Sequence, residues 1–301
     1  MNLFGEEIRT DLMKQSNGSK YLTAPHIPYM GNKAAIVGKL VYLFPECENF
    51  LDACCGGGSV GYSMLTYGRA KRVTMNDVYK PVIDLHKAIL NKEIDFENLP
   101  FCSREQFFYS LNRIESGKYT PVDVLYMYTY SFGNDAKSYA YGKHVENEKQ
   151  KMHDVIFGKT TKERRLALRA FVQSLQSLQS LQSLQSLERL ESLERLESLE
   201  SLENNSITFT SQDLFDIDYS QYDCVYFDIP YKDTASYKVS FDHEKFWQFF
   251  MDLDVKAYAS EYNAPDFVPL VLEIDKRKLK QNKVNTGGKI KGLEKVYHNG
   301  K

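Results

Sequence analysis

Three consecutive glycines, Gly56, Gly57 and Gly58, follow the short apolar run Phe50-Leu51-Asp52-Ala53 and the cysteines Cys54 and Cys55, and a helix-like stretch from about Ser59 to Tyr67 comes next. A strand that turns through glycine into a helix opens a βα unit. Glycine there permits a tight turn and lets a ligand approach the backbone, while the helix start offers N–H groups with no partner of their own. The rhythm continues downstream. Arg72-Val73-Thr74-Met75 reads as a second strand, Lys80 to Leu90 as a second helix, Ile207–Thr210 and Cys224–Phe227 as short β-rich runs, and His243 to Met251 as a helix. This alternation predicts an α/β fold, an open parallel sheet with helices on both faces. Between roughly Asn91 and Gly158 the rhythm fails and aromatic and polar residues mix, which predicts an inserted region.

With 301 residues, 43% of them hydrophobic and 26% charged, the chain is long enough for a substantial core and has an ordinary globular balance. Its net charge of −2 hides a split: residues 174–203 carry six Glu and two Arg, whereas 276–301 hold nine Lys or Arg and a single acid, Glu294. The segment 174–203 consists of ten triplets of the form [SR]-L-[QE]. In an α-helix each three-residue step falls about 60° short of a turn, so the leucines spiral instead of forming a stripe. We read the segment as a low-complexity spacer and 276–301 as a basic C-terminal tail that adds phosphate affinity. The cysteines Cys47, Cys54, Cys55, Cys102 and Cys224 are odd in number and lack C-x₂-C spacing. That argues against a disulfide framework or a zinc site, so no metal is expected. No apolar run approaches 18 residues and the N-terminus lacks a signal-peptide pattern, so a cytoplasmic protein without membrane contact is expected.

Two constellations carry chemistry. Asn76-Asp77 ends the second strand about 20 residues after the glycine turn, where an acid commonly holds the ribose hydroxyls of a nucleoside cofactor. Gly56, Gly58 and Gly61 fall at the G-x-G-x-x-G spacing, a weak signal on its own, and Ser59-Val60 stand after Gly58 where a P-loop would have lysine. A nucleoside cofactor without phosphates is therefore favoured over a plain tight turn. The second constellation is Asp228-Ile229-Pro230-Tyr231, at the end of an apolar strand.

The order of these motifs resembles the Dam-type (D12 class) family of S-adenosylmethionine-dependent DNA adenine-N6 methyltransferases, which carry [DNS]-P-P-[YFW] at this strand end. Pro28-Tyr29-Met30-Gly31-Asn32-Lys33 is similar to the family's N-terminal cofactor motif, Asp52 to Val60 to its E-P-F-x-G-G-G-x-V element, and Asn76-Asp77 to its ribose-binding acid. Asp213 sits where the family has a carboxylate near the cofactor adenine, and Tyr130 to Lys143 resembles the target-DNA-binding stretch. There are departures: Asp52, Ala53 and Cys54 stand for Glu, Pro and Phe, and Ile229 replaces the first proline. What the chemistry needs at 229 is a backbone carbonyl, which any residue supplies, and Ile229 precedes Pro230 and so keeps its bias to extended conformations. Cys54 reads as a structural thiol.

The resemblance implies a Rossmann-like methyltransferase sheet formed by 20–90 and 205–270, with 91–172 as an inserted, mainly helical DNA-recognition region. It implies S-adenosylmethionine held by Tyr29, Lys33, Asp52, Cys54, Gly56, Gly58, Asp77 and Asp213. Asp228 and the Ile229 carbonyl would accept the two N–H groups of a flipped-out adenine amine, with Pro230 completing the catalytic motif and Tyr231 stacking on the base. Asn134, Lys137, Tyr139 and Lys143 would contact double-stranded DNA. A prokaryotic or phage origin is also expected; a cognate restriction endonuclease is compatible with the resemblance, but these residues do not distinguish an orphan from a restriction-linked enzyme. Cytosine-N4 methylation, RNA adenine methylation and a catalytically silent nucleic-acid-binding protein stay open as rival readings. No residue pattern specifies the recognition sequence or the oligomeric state.

Overall fold

The computed structural model of the chain describes residues 26–95, 99–100, 102–131, 135–139, 206–231, 241–275 and 293–301. The triplet repeat 174–203, and the expected DNA contacts Asn134 and Lys143, lie outside the described residues. Contacts divide the chain into two compact units, one of Lys33–Val78 and Asn205–Lys301, the other of Pro25–Asn32 and Tyr79–Asn204.

The first unit is built on a seven-stranded sheet. Its elements are helix α1 (Val37–Leu43), β1 (Cys47–Asp52), α2 (Ser59–Thr66), β2 (Ala70–Asn76), β3 (Ile207–Thr210), β4 (Cys224–Phe227), then a later helix (His243–Asp252), β5 (Lys256–Glu261), β6 (Leu270–Asp275) and β7 (Leu293–His298). The strand order is β3-β2-β1-β4-β5-β7-β6. The first five of these are parallel, whereas β7 runs antiparallel to both β5 and β6. The expected parallel sheet thus holds for five strands, and an antiparallel pair extends it. This also revises the basic tail: residues 293–298 form an interior strand. The antiparallel pair was hidden because 276–292 separate its strands in sequence and the lysines dominate the composition of that stretch.

Central strands covered on both faces read as continuous apolar runs, and Cys224–Phe227 is buried at every position. Alternation splits their side chains between two layers. Leu51, Val225 and Phe227 pack with Phe246, Trp247 and Phe250 of the helix at His243–Asp252. Phe50, Tyr226 and Tyr258 turn the other way, and each packs on Phe44 at the end of α1, with ring centroids 4.9–5.7 Å apart. Asp242 starts the later helix by accepting from Lys245 N, an N-cap that satisfies one of the helix's open donors.

In the second unit, α3 (Lys80–Leu90) is followed by α4 (Arg104–Glu115) and α5 (Pro121–Thr129); the helix at His243–Asp252 is α6. Ser103 caps α4, and Thr120 with Asp123 forms a capping box on α5, with Pro121 in the first turn. Between 91 and 139 the described elements are therefore helical, apart from a bridge between Ser131 and Tyr139.

Candidate active site

The glycine turn is held by the ends of three strands. Cys55 N donates to Asn76 O (2.8 Å). The Asn76 side-chain amide donates to Ala53 O and Gln212 O (both 3.0 Å), and its oxygen accepts from Thr210 Oγ1 and Gln212 N (both 2.9 Å). One buried amide thus ties β1, β2 and β3 together, the sequence's reason for asparagine before Asp77. Asp77 Oδ2 accepts from Gly56 N (2.9 Å), so the predicted ribose acid also fixes the turn. Gly58 has φ +80°, and a Cβ there would fall 2.5 Å from Met75 Cε and 2.7 Å from Tyr62 Cε2. Only glycine fits that position without displacement.

Asp52, at the end of β1, is 1% exposed. Its Oδ2 accepts from Gly61 N (2.9 Å), and its Oδ1 has no hydrogen-bond partner. Burial above all, with the nearby Asp228 and Asp77 carboxylates, pushes Asp52 up to about 8, against the opposing pull of Gly61 N–H and Lys33. Burial therefore favours the protonated form of this carboxyl.

β4 lies beside β1, with Asp52 opposite Tyr226 and Ala53 N donating to Tyr226 O (2.9 Å). From β1 the chain proceeds to β2 on one side, whereas β4 and β5 lie on the other. The carboxyl ends of β1 and β4 therefore flank the point of reversal, where open α/β sheets bind their ligands. Asp228 follows β4 directly. Both of its oxygens accept from Lys33 Nζ at 2.6 Å. Lys33 is 3% exposed; its backbone N–H donates to Ser59 Oγ (3.2 Å) and its ammonium stands 4.9 Å from the centre of the Tyr231 ring. A second carboxylate, Glu294 on β7, lies 3.5 Å from the same ammonium and accepts from the Tyr231 hydroxyl. Tyr231 also meets Tyr262 edge-on at 4.6 Å. Burial, then Asp228 and Glu294, push the Tyr231 phenol well up, so it stays a donor.

The structure thus brings together Lys33, Asp52, Gly56, Gly58, Asp77, Asp228 and Tyr231 at the ends of β1, β2 and β4. Ile229 is 1% exposed and packs in the α6 layer, which leaves its backbone as the polar group at that position; Pro230 is half-buried. Cys54 is half-buried against the same apolar cluster, and burial pushes its thiol up, as it does those of Cys47, Cys55, Cys102 and Cys224. None of the five is an activated nucleophile. Asp213 is exposed and caps a short 3₁₀ turn by accepting from Phe215 N (3.0 Å).

Three predicted residues belong to the second unit. Tyr29 packs on Tyr128, centroids 5.0 Å apart. Lys137 is exposed in a turn where Asp135 Oδ1 accepts from Lys137 N and Ser138 N (2.9 Å each). Tyr139 is 8% exposed, donates its hydroxyl to Cys102 O (2.9 Å) and packs against Phe107, so its ring supports the segment that carries Lys137. Glu294 was missed as a site residue. Its signal was present: it is the single acid in the lysine-rich stretch 276–301.

Residues 29–265 match the family model of D12 class N6 adenine-specific DNA methyltransferases. Among solved structures the chain is similar to the rRNA methyltransferase aviRa from Streptomyces viridochromogenes, with 10% sequence identity over 97% of this chain and 93% of that one. The TM-score of 0.34 is too low to bear on the fold or function of this chain. Among the described residues no group of three His, Cys, Asp or Glu side chains could hold a metal, and no helix is long and apolar enough to cross a membrane.

Proposed function

The chain belongs to the D12 class of N6 adenine-specific DNA methyltransferases, and from that premise we propose that it methylates N6 of an adenine flipped out of a specific duplex site, by direct transfer without a covalent enzyme intermediate. The observation that carries this reading is Asp228 and the Ile229 backbone at the end of β4, beside the glycine turn that ends β1.

The residues present fit S-adenosylmethionine. The orphaned Oδ1 of buried Asp52 calls for a donor such as an ammonium, whose arrival would displace the acid's proton, and the Asp77 and Asp228 carboxylates suit a ligand that bears positive charge. Asp52 and the glycine turn would hold its amino-acid end, Asp77 its ribose and Asp213 its base, with Cys54 packing beneath. When bound, the cofactor supplies an electrophilic methyl group. The chain's own part is to make a nucleophile of an amine whose lone pair is delocalised into the purine ring. Asp228 and the Ile229 carbonyl each accept one N–H, which favours a pyramidal nitrogen and stabilises the charge that develops on it. Tyr231 stacks on the base and holds it in line; positioning of this kind supplies roughly 7–11 kcal/mol in favourable cases. Lys33 Nζ donates to both Asp228 oxygens and so holds the carboxylate in place at the end of β4. Extrusion of the base costs a few kcal/mol. Lys137, with Asn134 and Lys143, would contact the DNA, and Tyr139 would hold that segment in shape.

Long-read methylome sequencing of a methylation-free host that expresses the chain tests the proposal. N6-methyladenine at one short motif is expected. N4-methylcytosine, methylation confined to RNA, or an unmodified genome would each overturn it, and in the last case calorimetry with the cofactor would identify a silent binding protein by the absence of heat.

A further inference from the structure

Glu294 lies outside the matched segment 29–265, on the antiparallel strand β7, yet it reaches two residues of the proposed site. It is fully buried. Its side chain shares a face of β7 with Val296 and His298 by the two-residue strand period, and both are buried; His298 in turn packs on Tyr258, 4.6 Å between centroids. A carboxylate in such a place is costly unless compensated, and the compensation is specific: the Tyr231 hydroxyl donates to Oε1, and Lys33 Nζ stands 3.5 Å from that same atom. Lys33 is thus shared between Asp228, which it contacts through both oxygens at 2.6 Å, and Glu294.

We propose that Glu294 is a positioning residue for methyl transfer, orienting the Tyr231 ring through its hydroxyl and drawing Lys33 off Asp228 when the target amine arrives. The inference rests on the functional reading above. In the substrate-free arrangement Lys33 satisfies the oxygens that the adenine N–H must reach. The ammonium has to yield part of Asp228 without being left uncompensated in a buried place, and Glu294 offers it a second carboxylate within a small side-chain movement. The same oxygen holds the phenol, so ring position and lysine position are linked through one atom.

The test uses the full chain and an oligonucleotide carrying the motif found by methylome sequencing. For Glu294→Gln, which keeps the shape and an oxygen for Tyr231 but loses the charge, kcat is expected to fall roughly 10- to 100-fold, with KM for DNA within about twofold of the parent. Tyr231→Phe, which removes the hydroxyl but keeps the ring, is expected to lower kcat too, and the double variant to be no slower than the slower single one, as for residues acting as a unit. A purely structural Glu294 would move melting temperature and active fraction but not this split. Unchanged kcat in Glu294→Gln, or independent multiplying losses in the double variant, would overturn the inference. If Glu294→Gln does not fold, unchanged kcat in Tyr231→Phe still overturns it, and a lowered kcat there supports it. Failure of the parent chain to methylate DNA would instead sink the functional reading, so the two failures are distinct.

Discussion

Asp52→Asn should make the protein more stable, and increasingly so as pH rises. In the folded chain Asp52 is 1% exposed, has one oxygen satisfied by Gly61 N and one with no partner, and keeps its proton up to about 8 instead of the ordinary 3.8. Because the folded group binds its proton at higher pH than the unfolded one, its contribution is fully present below about pH 4 and is lost as pH rises toward about 8. Within that window the loss is about 1.4 kcal/mol per pH unit. Asparagine resembles the protonated acid and carries no such dependence. The stability difference between variant and parent should therefore grow by roughly 4 kcal/mol from about pH 5 to about pH 8 and then level off. At roughly 2–4 °C per kcal/mol for a chain somewhat smaller than this one, that is on the order of 10 °C in melting temperature. Thermal denaturation of both proteins without cofactor, at several pH values, measures it. The same acid should release its proton when a cationic ligand binds, so calorimetry with S-adenosylmethionine near neutral pH should show a buffer-dependent heat in the parent and none in Asp52→Asn. A melting difference that stays constant with pH, together with a heat independent of buffer, would refute the buried, protonated Asp52.

Gly58→Ala forces a left-handed backbone on alanine and drives its Cβ into Met75 and Tyr62; a loss of roughly 2–4 kcal/mol is expected in thermal or denaturant unfolding. Asp77→Ala should weaken cofactor binding by about 1.5–3 kcal/mol for each charged hydrogen bond lost, and unchanged affinity by calorimetry would remove Asp77 from the ribose site. Lys33→Met takes the ammonium from between Asp228 and Glu294; denaturation should show a loss of about 3–5 kcal/mol, the usual result of removing one partner of a buried pair, and an unchanged melting temperature would deny the pair any structural weight.

Local pattern sufficed for much of this molecule. The strands Ile207–Thr210 and Cys224–Phe227 and the helix Lys80–Leu90 are observed over the residues that periodicity indicates, because each is a short apolar or amphipathic run bounded by turn residues. The glycine turn was legible for the same reason. What pairs with what was not. Lys33 reads in sequence as part of a cofactor motif, whereas its ammonium sits on Asp228, 195 residues away, a contact made by the sheet and by no local preference. Tyr139 stands in a stretch where aromatics alternate with polar groups, a pattern that suits DNA contact and packing equally; its burial and its bond to Cys102 O settle where the ring lies. Glu294 was masked by its lysine-rich neighbours, although an isolated acid in such a stretch is itself a reason to look for a buried cation.

The claim on which the rest depends is that Asp228 activates an adenine amine beside a cofactor held over the glycine turn. Its most direct test measures transfer of a labelled methyl group to motif-bearing duplex DNA by the parent and by Asp228→Ala, with cofactor affinity of both determined by calorimetry. The label should appear on adenine N6 with the parent, and the variant should bind the cofactor yet transfer almost nothing. Substantial turnover by a variant lacking that carboxylate would contradict it.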